Sequence, residues 1–152
     1  MEIRPATVAD APAVSSLILS LRDLLTVRPD GQGAEKFLAS LEPGPVAVLL
    51  ADPRFRYYVL EVDGQLAGAV AMRDNSHLYH LFVARPYQGR GLARRLWEFA
   101  RADAIARGNP GQFTVNSSVY AEPVYRGFGF VPTSPRQEVD GLAFTPMQLS
   151  SA

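Results

Sequence analysis

From residue 11 to residue 25, the apolar positions Ala11, Val14, Leu17, Ile18, Leu21, Leu24 and Leu25 recur at three- and four-residue spacings, which predicts an amphipathic helix. Thr7 and Asp10 have the spacing of a capping box, but Pro12 suits a first helical turn and favours Asp10 itself as the cap. Glu2 to Arg4 reads as a short strand, and residues 34–41 as a second short helix. Val46 to Ala51 is apolar throughout and fits helix or strand. Arg56–Val62 and Leu66–Met72 flank Asp63-Gly64, a strong hairpin signal. Leu78–Val83 is a further strand. The helix that follows puts Leu92, Leu96, Phe99 and Ala100 on one face and Arg94, Arg95 and Arg101 off it, and Gly108-Asn109-Pro110-Gly111 stops it. Phe113–Asn116 reads as a strand, Ala121–Arg126 as a short helix, and two strands follow near Phe130 and at Leu142–Thr145. A run of strands followed by a strand–helix–strand unit predicts a mixed α/β domain around a central sheet.

Composition narrows the classes. A chain of 152 residues suits one domain over 1–152, and such a length buries roughly 70% of its unfolded surface. Fifteen basic and fifteen acidic residues cancel, so no global field steers the protein to nucleic acid or to an acidic membrane. There is no cysteine, which excludes disulfides, thiolate metal sites and a cysteine nucleophile. Met-Glu-Ile-Arg-Pro carries no apolar signal core, and no apolar run approaches the ~20 residues that span a bilayer. The expectation is a cytoplasmic protein, so the sequon-like Asn116-Ser117-Ser118 carries little weight.

Candidate chemistry centres on Leu81-Phe82-Val83-Ala84-Arg85-Pro86-Tyr87-Gln88-Gly89-Arg90-Gly91-Leu92-Ala93. A strand, a glycine turn and a helix N-terminus make a phosphate site, because the glycines admit a ligand close to the backbone and the first helical amides are unpaired. The same two glycines also suit a plain tight turn. No Gly-Lys-Ser/Thr follows, which excludes a Walker loop, and Arg94 stands where a third Rossmann glycine belongs.

The segment resembles the pyrophosphate loop of the GCN5-related N-acetyltransferases, whose Gln/Arg-x-x-Gly-x-Gly/Ala pattern falls on Gln88, Gly91 and Ala93. A second likeness lies downstream. Residues 116–130 are similar to the family's strand, short helix and closing Tyr-x-x-x-Gly-Phe, here Tyr125 to Phe130 with Gly129 before the phenylalanine. The family often has an asparagine three residues before the alanine at 121, and Ser118 stands there instead, so Asn116 and Ser118 are both candidates for that polar contact. Ile3-Arg4-Pro5-Ala6-Thr7 and Gly68 are weaker likenesses.

The resemblance implies a central, twisted, mostly antiparallel sheet of six to seven strands, splayed at strand 4 and flanked by helices. It implies acetyl-CoA as co-substrate, with no metal. The amides of Gly89, Arg90, Gly91, Leu92, Ala93 and Arg94 would hold the pyrophosphate beside Gln88, and Leu81, Phe82 and Val83 would pair with the pantetheine arm. Tyr125 would contact the cofactor and supply a proton to the leaving thiolate; an aromatic on a short helix otherwise reads as core packing. His77 or His80 would serve as base for the amine, with water or Glu61 as alternatives. Strand alternation puts His77 and Tyr79 on one face and His80 on the other, unless a bulge intervenes. The arginines at 90 and 94 could meet phosphates or simply form a solvated face.

The function implied is transfer of acetyl to the primary amine of a small molecule or peptide by direct attack. The alternatives are a non-catalytic acyl-CoA-binding module and a transferase of another acyl group. The acceptor site is expected around residues 24–42 and the loop Pro132–Asp140, and a homodimer stays open.

Overall fold

The structure, a computed structural model, describes residues 1–150. Strand β1 (Glu2–Pro5) leads through a 3-10 turn into helices α1 (Ala11–Leu19), α2 (Arg22–Leu25), α3 (Glu35–Ala39) and α4 (Pro43–Ala51). Strands β2 (Phe55–Val62), β3 (Gln65–Arg73) and β4 (His77–Val83) follow, then α5 (Leu92–Ala106), β5 (Gln112–Ser118) and α6 (Glu122–Phe128). Strands β6 (Val131–Pro132), β7 (Gln137–Val139) and β8 (Leu142–Ser150) close the described chain. They form one sheet in the order β1-β2-β3-β4-β5-β8-β6, with β7 also on β8. The short β6 and β7 take the count past the expected six to seven. All pairings are antiparallel except β4 with β5, the pair that α5 connects as a crossover.

Both faces of the sheet are covered, which is why β2 and β3 read as nearly continuous apolar runs. On one face α5 buries Leu92, Leu96, Trp97, Ala100 and Ala104 against Tyr58, Val70 and Phe113. On the other, α1 and α4 bury Val14, Ile18 and Val46 against Tyr57, Val59 and Ala69. Asp63 and Gly64 both have positive φ (52° and 76°), the turn geometry their hairpin requires. Residues 46–51 resolve as helix.

Three local expectations are corrected. The helix expected over 11–25 breaks at Ser20, whose hydroxyl donates to the Leu17 carbonyl at 2.6 Å and competes with the helical ladder. Leu21 stays in the core, but Leu24 and Leu25 are redirected. Asp10 does not cap α1 through its side chain. Its carboxylate accepts from the Thr7 amide (2.7 Å) and pairs with Arg4 (2.8 Å), which holds its pKa down at about 2. Phe99 lies off the buried stripe of α5, 38% exposed and edge-on to Tyr58 at 4.9 Å between centroids, while Trp97 takes the core position.

Gly68 fixes how closely α5 approaches the sheet. A Cβ there would stand 2.8 Å from Leu96 Cδ1 and 2.9 Å from the Phe82 carbonyl oxygen. The leucine can yield; the backbone oxygen cannot. Gly68→Ala is therefore expected to cost about 1–3 kcal/mol of stability by overpacking. Denaturant titration measures it, and an unchanged midpoint would show that β3 and β4 take up the methyl group without penalty.

Candidate active site

The sheet opens in its middle. β4 and β5 pair only at His77↔Thr114 and Leu78↔Val115. Past Leu78 they diverge, leaving a cleft of about 560 Å³. The glycine turn, the edge of β4, the end of β5 and the start of α6 all face this opening.

The edge of β4 has a definite polarity. The Ala84 amide donates to Ala67 on β3 (2.8 Å), so alternation directs the backbone groups of Phe82 to β3 and those of Leu81 and Val83 into the cleft. Of the three residues expected to pair with a ligand arm, Leu81 and Val83 thus present backbone groups and Phe82 a side chain. Gln88 is already engaged: its amide donates to the Val83 carbonyl at 2.9 Å and accepts from Tyr120 at 3.3 Å. It braces the cleft mouth with one of its two amide N–H groups and keeps the other.

In the turn, Gly89 and Gly91 have φ of 78° and 76°, and Gly91 caps α5. A Cβ built on either would meet no protein atom within 4 Å, so the space before these backbones is open. The first turn of α5 carries no acidic residue, and its unpaired amides and dipole favour an anion there. Gly89, Gly91, Leu92 and Ala93 line the cleft; Arg90 and Arg94 do not. Arg90 lies over the Tyr87 ring (5.5 Å), and Arg94 lies over Phe128 (5.1 Å) and donates to the Gly127 carbonyl (3.1 Å). Their side chains brace the turn from outside.

Tyr125 sits on α6, 6% exposed, with its ring edge-on to Phe128 and Phe130. It lines the cleft, and burial raises its phenol pKa, keeping it protonated. At the end of β5, Ser118 Oγ accepts from the Ala121 amide (3.2 Å) and caps the turn into α6. Asn116 also lines the cleft and makes no side-chain hydrogen bond to another described residue.

The two histidines do not lie on opposite faces. The β3–β4 register shifts between Ala71 and Met72, where Tyr79 is an extra residue, and this bulge resets the alternation. His77 contacts Thr114 (Nδ1 to Oγ1, 2.8 Å) on the face away from α5. His80 contacts Tyr57 (Nδ1 to Oη, 2.8 Å) on that same face. Burial pushes the His80 imidazole down to about 3. Burial, then the charge of Arg73, lowers His77 as well. Tyr57 is also buried and its phenol is held neutral by burial. Nothing in the sequence marks Tyr57 as a histidine partner, since it alternates like a core residue.

Glu61 is no base for this cleft. Arg4 holds it at 2.6 Å beside β1, and it does not line the opening. On the side away from the glycine turn the wall is Leu24 and Leu25 of α2, Phe37 of α3, and Leu142–Phe144 at the start of β8. Residues 132–140, expected to help build this wall, are outside it. Arg136 and Glu138 instead line an adjoining depression of about 290 Å³, which shares Leu24, Leu25 and Ala143 with the cleft.

Residues 26–151 match the family model described as an acetyltransferase (GNAT) domain. Among solved structures, the chain is similar to the GCN5-related N-acetyltransferase from Rhodopseudomonas palustris, with 22% identity, coverage of 99% of this chain and 95% of that one, and a TM-score of 0.80. It is also similar to PaiA N-acetyltransferase from Thermoplasma acidophilum in complex with coenzyme A, with 13% identity, coverage of 99% and 98%, and a TM-score of 0.75. YncA from Salmonella typhimurium, solved with its cofactor acetyl-CoA, is 21% identical over 99% of this chain and 93% of that one, with a TM-score of 0.65. At these identities the structural likenesses bear on the fold alone. No curated protein matches the chain significantly. The family model, which spans most of the sequence, identifies the chain as a member of the GNAT acetyltransferase family.

Proposed function

We propose that the protein is an acetyl-CoA-dependent N-acetyltransferase that moves the acetyl group directly to a primary amine in a ternary complex. The observation that carries this reading is the split between β4 and β5, which brings an open glycine turn, free backbone groups and the Tyr125 phenol into one cleft. Amides from Gly89 to Arg94 would hold the pyrophosphate, and Leu81 and Val83 would engage the pantetheine arm. Asn116 would add a polar contact. Bound there, acetyl-CoA supplies an activated acyl carbon and a thiolate leaving group.

The residues of the chain handle the protons. One nitrogen–carbon bond forms and one carbon–sulfur bond breaks; the nitrogen loses two protons on its way from ammonium to amide, one before attack and one after it, of which the thiolate takes one and solvent the other. Tyr125, kept neutral by burial, is the donor towards sulfur. With no cysteine among the described residues, the commonest covalent acyl carrier is missing, which agrees with direct attack.

His77 is the better base of the two histidines. An alkylammonium has a pKa of about 10, and transfer to an imidazole as depressed as that of His80 is steeply uphill. The Tyr57 phenol, kept neutral by burial, can donate to Nδ1 and so place the proton of His80 on Nε2. His80 is then a donor. His77 can pass its Nδ1 proton to Thr114 and leave Nε2 free to accept.

The expected pH profile follows. Because burial and Arg73 depress His77, its neutral, active form is lost only as pH falls below its ordinary 6.5. The rate should therefore rise with pH through an ionisation below that value. His77→Ala should erase this ionisation and leave a rate set by the amine's own proton loss. His80→Ala should keep it, since an imidazole at about 3 is already neutral throughout. The opposite pattern would exchange their roles, and insensitivity in both would leave the task to water.

The function itself is tested by release of free CoA from acetyl-CoA over a panel of primary amines. Binding of acetyl-CoA without amine-dependent release would favour a non-catalytic binding module.

A further inference from the structure

We infer that the acceptor is a small primary amine carried on an apolar, aromatic body, with no second charged group. This rests on the acetyl-transfer reading and concerns the half of the cleft opposite the glycine turn.

The cleft divides at β4. Leu81, Val83 and Tyr87 pack towards the α5 cluster, beside the glycine turn. Phe82, Leu25 and Phe37 pack towards the α1–α4 cluster, on the face that also carries His77 and His80. Leu24 and Phe144 complete that second wall. The break at Ser20 is what turns Leu24 and Leu25 into it.

Charge is missing from this wall. Among the described residues lining the cleft there is no aspartate, glutamate, lysine or arginine. Of the neighbouring charges, Arg85 pairs with Asp23, and Arg136 and Glu138 line an adjoining depression on the other side of Leu24 and Leu25 without lining the cleft itself. The second ammonium of a polyamine, or the carboxylate of an amino acid, would be buried here without a partner. An aromatic body would instead exchange water for Leu24, Leu25, Phe37 and Phe144. The same surroundings disfavour an ammonium and so help to deliver the neutral amine that attack requires.

The segments behind this wall are also tied together. The Val27 amide, just past α2, donates to the Gly141 carbonyl, just before β8, at 2.8 Å. The backbones pack so tightly there that a Cβ on Gly141 would stand 2.5 Å from Gly33. The two segments that flank the acceptor half therefore hold Leu24, Leu25 and Phe144 in a fixed relation, and a polypeptide acceptor would bring further polar backbone groups against this apolar wall.

The experiment compares matched amines on the intact protein. CoA alone is added first, and the melting temperature is read. 2-Phenylethylamine, phenylalanine, spermidine and a short peptide are then tested as acceptors by CoA release. Calorimetry measures their binding to the protein with and without CoA. 2-Phenylethylamine should exceed phenylalanine, which differs from it only by a carboxylate, by roughly 10²-fold or more in kcat/KM. Spermidine and the peptide should be similarly poor. Leu24 is half-buried and lies in the wall, so Leu24→Asp should raise KM for 2-phenylethylamine and lower it for spermidine.

A kcat/KM for phenylalanine, spermidine or the peptide equal to or above that for 2-phenylethylamine overturns the inference and leaves acetyl transfer standing. Failure of 2-phenylethylamine to bind in calorimetry overturns it whether or not CoA binds. A CoA-insensitive melting temperature, with 2-phenylethylamine still binding, would refute the acetyl-CoA reading but not the apolar pocket.

Discussion

Replacing Tyr125 with phenylalanine is expected to lower the chemical step by about 10²-fold, near the lower end of what a general acid contributes. The fold should hold, because phenylalanine keeps the ring and its edge-on contacts with Phe128 and Phe130, at 6.1 and 5.7 Å between centroids. Only the hydroxyl is lost, and it makes no hydrogen bond to another described residue. The lower end follows from the direction of the phenol's shift. Burial raises its pKa, so full transfer to a thiolate of ordinary pKa, about 8.5, becomes more uphill by about 1.4 kcal/mol for each unit. Tyr125 then acts by donating a strong hydrogen bond as charge develops on sulfur, and a solvent proton can replace part of that. The raised pKa also means that activity should show no alkaline loss from phenol ionisation up to about pH 10. Single-turnover release of CoA is the measurement. Equal rates in both proteins, with chemistry limiting, would return Tyr125 to a packing role.

Features written in contiguous residues were legible in the sequence. The glycine turn needs only Gln88 to Ala93, because positive φ and open helical amides are local properties. Asp63-Gly64 is legible for the same reason. What escaped depends on partners distant in sequence. Strict alternation through His77-Leu78-Tyr79-His80 separates the two histidines, and only the register against Ala71 and Met72 makes Tyr79 an extra residue and puts both histidines on one face. The residues around Ser20 keep helical spacing through Leu25, so periodicity passes over a break made by one hydroxyl. That break aims Leu24 and Leu25 at the cleft, and so the acceptor wall was visible only as a segment. The parts played by Tyr57 and Glu61 were hidden for the same kind of reason. A core-like tyrosine proves to be a histidine's partner, and a carboxylate that resembles a base is held by Arg4.

Gly91→Val is expected to abolish the stabilisation that CoA confers. A ligand bound only to the folded protein at about 100 times its Kd adds about 2.7 kcal/mol, or roughly 5–11 °C in a chain of this size. The valine has two effects that must be separated. Gly91 has φ +76°, where a branched residue is strained, so the unliganded melting temperature should fall. The new side chain meets no protein atom within 4 Å of its Cβ, so its bulk projects into the open space before the α5 amides, where the pyrophosphate would lie. Gly108→Val separates the two. Gly108, beyond the other end of α5, also has positive φ (+105°) and open space around its Cβ. It should lose stability for the same backbone reason and yet keep the full CoA shift. Loss of the shift in both variants would trace it to general destabilisation. An intact shift in a folded Gly91→Val protein would move the phosphate site away from this turn. Only loss at 91 with retention at 108 places the pyrophosphate at the N-terminus of α5.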